Sequence, residues 1–185
     1  MQLDKAIQER YSCKKFSTKK PNWRTIIECI DSARYAPMAG NAYSLKFILV
    51  DKPEIIQRLA EASQQDFFKG VHYAVVAVSN PTITKNSFPE KAEKYLRQQA
   101  GAGIQNFLLK ITEAGLATCW IGHFVDDQIK HTLGIPDSME VEAFFPIGYE
   151  FKKPKTRKDK ISLDGILYFN SYGKKNMIED KGLNA

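Results

Sequence analysis

Apolar positions recur along this chain with two periods, and the alternation between them divides it into helices and strands. Leu3, Ile7 and Tyr11 stand about one helical turn apart, which predicts a first helix ending near Arg10, with extended chain after it. Asn22 is placed to cap a second helix, in which Ile26, Ile27, Ile30, Ala33 and Arg34 repeat at the helical period until Pro37 stops it. Ala36 to Ser44 then reads as a loop, and Leu45 to Val50 as a buried strand. A helix through Ile55, Ile56 and Leu59 leads to a second strand, Val71 to Val78. Asn80-Pro81 breaks the chain, and the polar stretch up to Pro89 is expected to be a mobile loop or lid.

The longest helix is predicted from Glu90 to about Ala114: Leu96, Ala100, Ile104, Phe107, Leu108 and Ile111 trace one face, and Gly115 follows as the closing residue. Gly101 and Gly103 each weaken a helix by about 1 kcal/mol against alanine, so they are either tolerated core glycines or points of close approach by a backbone or flat ligand. Ala117 to Ile121 is read as a third strand, Asp126 to Leu133 as a short helix, and Val141 to Tyr149 as a fourth strand. Lysine then dominates from Lys152 to Lys160, before an apolar patch at Ile166, Leu167, Tyr168 and Phe169 that must bury against a distant part of the fold or a second subunit.

With 185 residues, one domain is expected; 43% hydrophobic and 26% charged residues suffice for a core and exclude the profile of a disordered chain. No apolar run approaches the roughly 20 residues of a membrane span, and Met1-Gln2-Leu3-Asp4-Lys5 lacks a signal-peptide core, so a soluble cytoplasmic protein with no membrane partner is expected. The formal charge is +6 and the pI about 9.1, which suits either a polyanion or a small phosphate-bearing ligand. Cys13, Cys29 and Cys119 are odd in number and far apart, so reduced thiols are expected rather than a disulfide framework.

Arg10, Ser12 and Lys14 alternate; in extended chain all three face one side and offer two cations and a hydroxyl to one anion. A solvated basic edge is the alternative reading. Lys155 and Arg157 repeat the alternation near the other end. The loop Ala36-Pro37-Met38-Ala39-Gly40-Asn41, rigid at Pro37 and permissive at Gly40, can lie close to a flat ligand.

Four segments, in order, resemble the flavin-dependent nitroreductase family. Glu9-Arg10-Tyr11-Ser12-Cys13-Lys14-Lys15-Phe16 is similar to its Arg-x-Ser-x-Arg/Lys-x-Phe motif, and Ala33 to Asn41 to its Ala-Pro-Ser-x-x-Asn loop. Ile104 to Leu109 with Gly115 to Gly122 resembles its central helix and following strand, and Phe145-Pro146-Ile147-Gly148-Tyr149 its last core strand. The resemblance implies an α+β fold of three layers, α/β/α, around a central mixed, mainly antiparallel sheet. It also implies a homodimer whose C-terminal arms are exchanged and whose two flavin mononucleotide (FMN) sites lie at the subunit interface. Residues 1–173 would form that one domain with its arm, and 174–185 a flexible tail.

By position, Arg10, Tyr11, Ser12 and Lys14 would hold the phosphate and ribityl chain together with Lys155 and Arg157. Pro37, Met38, Ala39 and Asn41 would reach the flavin from the partner subunit, Gln65 would meet the pyrimidine edge of the ring, and Ile121 and Gly122 would approach it with backbone groups. The implied activity is reduction of a nitroaromatic, quinone or similar small-molecule acceptor with NADH or NADPH in ping-pong order, with no catalytic side chain required and other flavin chemistry on the same fold as a variant. The chain departs from the family at Met38, where serine is usual, and at Asn41-Ala42-Tyr43-Ser44-Leu45. A basic nucleic-acid-binding module is the competing class, disfavoured because the basic residues are not interleaved with aromatics in a known motif. His72, His123 and His131 lie too far apart for a metal motif, and no metal is expected.

Overall fold

Seven consecutive side chains of strand β2 (Tyr73–Ser79) are buried, which requires a covering layer on each face of the sheet. The computed structural model describes residues 2–152 and 160–177. Around β2 lie β1 (Leu45–Val50), β3 (Ala117–Thr118) and β4 (Glu140–Gly148), in the sheet order β1-β2-β4-β3, with every pairing antiparallel. Alternate side chains of β2 separate two cores. Ala74, Val76 and Val78 pack beneath α3 (Pro53–Ser63) and α6 (Asp126–Leu133), through Ile56, Leu59 and Ile129. Tyr73, Val75 and Ala77 pack beneath α2 (Trp23–Asp31) and α5 (Ala92–Glu113), through Ile26, Ile104, Phe107 and Ile111. The result is the three-layer α+β architecture.

Local signals account for most boundaries. The Asn22 side chain accepts a hydrogen bond from the Arg24 amide at 3.0 Å and starts α2. Gly115, at φ +71°, closes α5 while the Leu116 amide returns to the Ile111 carbonyl. Gly103 explains how α5 comes so close to β1: a Cβ there would lie 2.8 Å from a methyl of Leu45 and 3.4 Å from the Ala33 carbonyl. Gly101 has open space around the same position. Arg97 anchors the front of α5 to β4, at 2.6 Å from Glu140 and 2.9 Å from Glu142.

Three expectations are corrected. The second helix ends at Asp31 and continues as a 3₁₀ turn, Ser32–Tyr35, because the Ser32 hydroxyl turns back to the Cys29 carbonyl. The segment after Pro81 is a short helix, α4 (Thr82–Ser87), rather than a free loop; Thr84 is fully buried in it. The third strand holds only two residues in its ladder, and Ile121 makes an isolated bridge to Phe144. Helix α1 (Leu3–Glu9) ends as the spacing predicts.

The chain divides into one unit of residues 1–152 and another of 153–185. Within the second, the Phe169 amide donates to the Lys174 carbonyl at 2.8 Å, and the Tyr168 and Tyr172 rings stand 4.7 Å apart. Ile161, Leu163 and Ile166 are exposed there. Among the described residues no helix is long and apolar enough to cross a membrane.

Candidate active site at the sheet edge

The extended chain after α1 docks on the sheet through its backbone. The Cys13 amide donates to the Thr118 carbonyl at 2.8 Å, the Ser17 amide to Tyr149, and Phe151 returns a bond to Lys15. Cys13 therefore points inward, 2% exposed, while Ser12 and Lys14 on either side face out. The Tyr11 hydroxyl donates to the Glu150 carboxylate and pins the segment to the end of β4.

Arg10, Ser12 and Lys14 converge around the thiol of Cys119. Ser12 hydrogen-bonds it, and both cations act to stabilise its thiolate; burial is the larger effect and pushes its pKa up. Neither Arg10 nor Lys14 has a carboxylate partner among the described residues. The hydroxyl of Thr118, beside Cys119, is buried without a partner among the described residues. This is a cationic cradle with an exposed mouth, whose donor set suits a terminal phosphate.

The turn that carries Gln65 reaches the same corner. Lys14 Nζ lies 6.0 Å from the centre of the Phe67 ring, and Phe16 stacks on that ring at 6.4 Å. The Gln65 side chain is half-buried and has no partner among the described residues. Gly122 is exposed beside the Trp120 indole. The Ile121 amide and carbonyl both pair with Phe144, at 3.0 and 3.1 Å, so its backbone belongs to the sheet and the outward groups beside it are those of Gly122. Sequence reasoning missed Phe67; its signal is an aromatic two residues past the expected ring-edge glutamine.

The loop residues Pro37, Met38, Ala39 and Asn41 lie elsewhere. They precede β1, whose Leu45 pairs with Ser79 and through it with Glu140, whereas the cradle sits by Thr118, which pairs with Ile147. β1 and β3 are opposite edges of the sheet, so the two groups occupy diagonal corners, on the order of 25 Å apart by strand geometry. Within the loop the Asn41 amide donates to the Met38 carbonyl and the Ala39 amide to Gln99 Oε1, so Ala39 faces inward with its donor. The Asn41 side chain remains exposed with no partner among the described residues. Lys155 and Arg157 lie outside the described residues. A cavity of about 660 Å³ beside Cys29, Tyr35 and Lys110 lies away from the cradle.

Known proteins resemble this chain over most of its length. The profile of the Nitroreductase family matches residues 7–81 and 61–149. A protein of Archaeoglobus fulgidus, provisionally named NADH dehydrogenase/NAD(P)H nitroreductase, is 26% identical over 165 residues, 86% of this chain and 90% of its own. The crystal structure of a nitroreductase family protein from Clostridium novyi NT superposes with a TM-score of 0.75 at 27% identity, covering 94% of this chain and 96% of that one. The fold is also that of an FMN-dependent nitroreductase from Clostridium difficile R20291, at TM-score 0.76 and 21% identity over 90% and 98% of the two chains.

The family match and the named relatives define an oxidoreductase class. The chain belongs to the Nitroreductase family.

Proposed function

We propose that this protein is an FMN-dependent oxidoreductase that takes electrons from NADH or NADPH and passes them to a small acceptor of the nitroaromatic or quinone kind, donor and acceptor visiting one site in turn. The observation that carries this reading is the convergence of Arg10, Ser12 and Lys14 at the sheet edge, with no carboxylate partner for either cation among the described residues. The FMN-dependent relative in Clostridium difficile lends the cofactor's identity.

The residues present fit that cofactor. Arg10 and Lys14 supply charge to a phosphate, Ser12 supplies a neutral hydroxyl, and Tyr11, tied to Glu150, fixes the segment that carries them. Gln65 offers a carboxamide with no partner among the described residues, and Gly122 an exposed backbone beside the Trp120 indole. FMN, when bound, supplies the electron-transfer chemistry itself, so the chain's task is to bind, orient and leave one face accessible. Lys155 and Arg157 join the phosphate side in this reading.

The second group, at Pro37, Met38 and Asn41, lies too far across the sheet to share a cofactor with the cradle of its own chain. It serves the cradle of a second copy, so the functional unit is a homodimer with two composite sites. The exposed apolar residues Leu3 and Ile7 on α1, and Trp23 and Ile27 on α2, give such a copy surface to cover, and the segment around Ile166 to Phe169 acts as the arm.

The test is the visible spectrum of freshly purified protein, followed by acid release of the pigment. About one FMN per chain is expected, with oxidation of a reduced nicotinamide. A colourless protein that refuses added FMN overturns the reading.

A further inference from the structure

Gln99 is a polar residue on the apolar stripe of α5, one turn from Leu96 and Gly103, and it is 3% exposed. Its carboxamide offers one acceptor and two N–H donors, and all are used. Oε1 accepts from the Ala39 amide at 3.2 Å, and Nε2 donates to the hydroxyls of Ser44 and Thr84, both themselves buried. One side chain thus joins the loop ahead of β1, the first residue before that strand and the short helix α4. Nothing in the family motifs of this chain marks it.

The loop needs such a tether. Gly40 and Asn41 hold φ of 58° and 56°, a left-handed conformation that an unsupported asparagine adopts only part of the time. Between Pro37–Ala39 and the α5 residues Tyr95, Gln98, Gln99 and Ala102 lies an open cleft of about 340 Å³. The Phe88 ring, beside Gly40 and against Tyr95, closes one side.

We infer that Gln99 is the positioning residue of the Pro37–Asn41 half-site: its three hydrogen bonds set the loop in the single conformation that a cofactor bound by the partner copy meets. This rests on the FMN reading above. Gln99 touches no cofactor; it acts through Ala39 and Ser44. The same bonds make α4 part of that wall, since Thr84 hangs on the second N–H.

Two substitutions separate positioning from mere bulk. Gln99→Met keeps the volume and loses every bond. Gln99→Glu keeps an acceptor for the Ala39 amide in either protonation state and, when ionised, accepts from the Ser44 and Thr84 hydroxyls, which can turn to donate.

Amide exchange of Ala39 is measured first without cofactor, then the FMN dissociation constant by fluorescence titration of the flavin-free protein. Slow Ala39 exchange is expected in the wild type and fast exchange in Gln99→Met, with a dissociation constant raised roughly tenfold or more at unchanged helical content. The Gln99→Glu protein, which keeps the bond to Ala39, is expected to retain slower Ala39 exchange and tighter FMN binding than Gln99→Met. Should Gln99→Met not fold, Ser44→Ala, which removes one arm, carries the test with a smaller rise. Wild-type affinity in a folded Gln99→Met, or a Gln99→Glu protein that binds no better than Gln99→Met, overturns the inference. Failure of the FMN reading shows separately, as a wild-type chain that binds no FMN while its Ala39 amide still reports the tether.

Discussion

Cys119 sits where opposing electrostatic effects meet: burial raises its pKa, while the Ser12 hydroxyl, Lys14 and Arg10 work to lower it, and burial is the larger. The thiol therefore stays protonated at neutral pH. Iodoacetamide labelling of folded protein at pH about 7 is expected to be far slower than that of unfolded chain, and fast labelling of Cys119 would contradict this. Removing the charge above it acts on binding instead. Lys14→Ala or Arg10→Ala is expected to raise the FMN dissociation constant about tenfold, and added salt to weaken wild-type binding more than that of either variant. Cys29 provides a pH prediction of definite sign. Burial raises its pKa from 9.0 to about 11, so above pH 9 the unfolded chain releases a proton that the folded one keeps. Its stabilising contribution is whole below pH 9 and is lost as pH rises toward 11; in denaturant titrations Cys29→Ala is expected to flatten that part of the profile.

The central helix shows how elements are set by single atoms. Gly103 and Gly101 carry the same helical penalty, yet only the first faces a neighbour. Gly103→Ala forces a Cβ against Leu45, which is 1% exposed and has no room to turn, and is expected to destabilise by about 1–2 kcal/mol despite better helix propensity. Gly101→Ala meets open space and is expected to stabilise by about 0.5–1 kcal/mol. Thermal denaturation of the two variants checks both signs. The sequence left those glycines ambiguous because a period of 3.6 reports which face a residue occupies, not how near the next backbone lies. The same limit hid α4, whose polar surface resembles a loop, although Thr84 is drawn inside by a partner fifteen residues away.

For the whole molecule, the proposed composite site, with its two groups at diagonal corners of the sheet, would make a dimer a requirement for binding. Dissociation constant and oligomeric state are expected to move together: sedimentation should give a dimer, and FMN affinity should fall on dilution below its dissociation. Deleting residues 153–185 is expected to leave the first unit folded by circular dichroism, since both cores lie within it, while shifting the protein toward monomer and weakening FMN binding. A truncated protein that stays dimeric with unchanged affinity would remove the arm from the site.

Local patterns in the chain were enough for the order of strands and helices, the Asn22 cap, the Gly115 stop and the alternation that turns Ser12 and Lys14 outward past Cys13. Those features depend on neighbours within a few residues, where steric and hydrogen-bonding preferences act directly. What only the tertiary structure decided involves partners far apart in sequence. Ile121 gives its backbone to Phe144, Ala39 gives its amide to a glutamine sixty residues on, and the loop and cradle fall at opposite corners because strand order is 1-2-4-3. Periodicity fixes which way a side chain points; the partner it meets there is set by packing among elements that the chain brings together only when it folds.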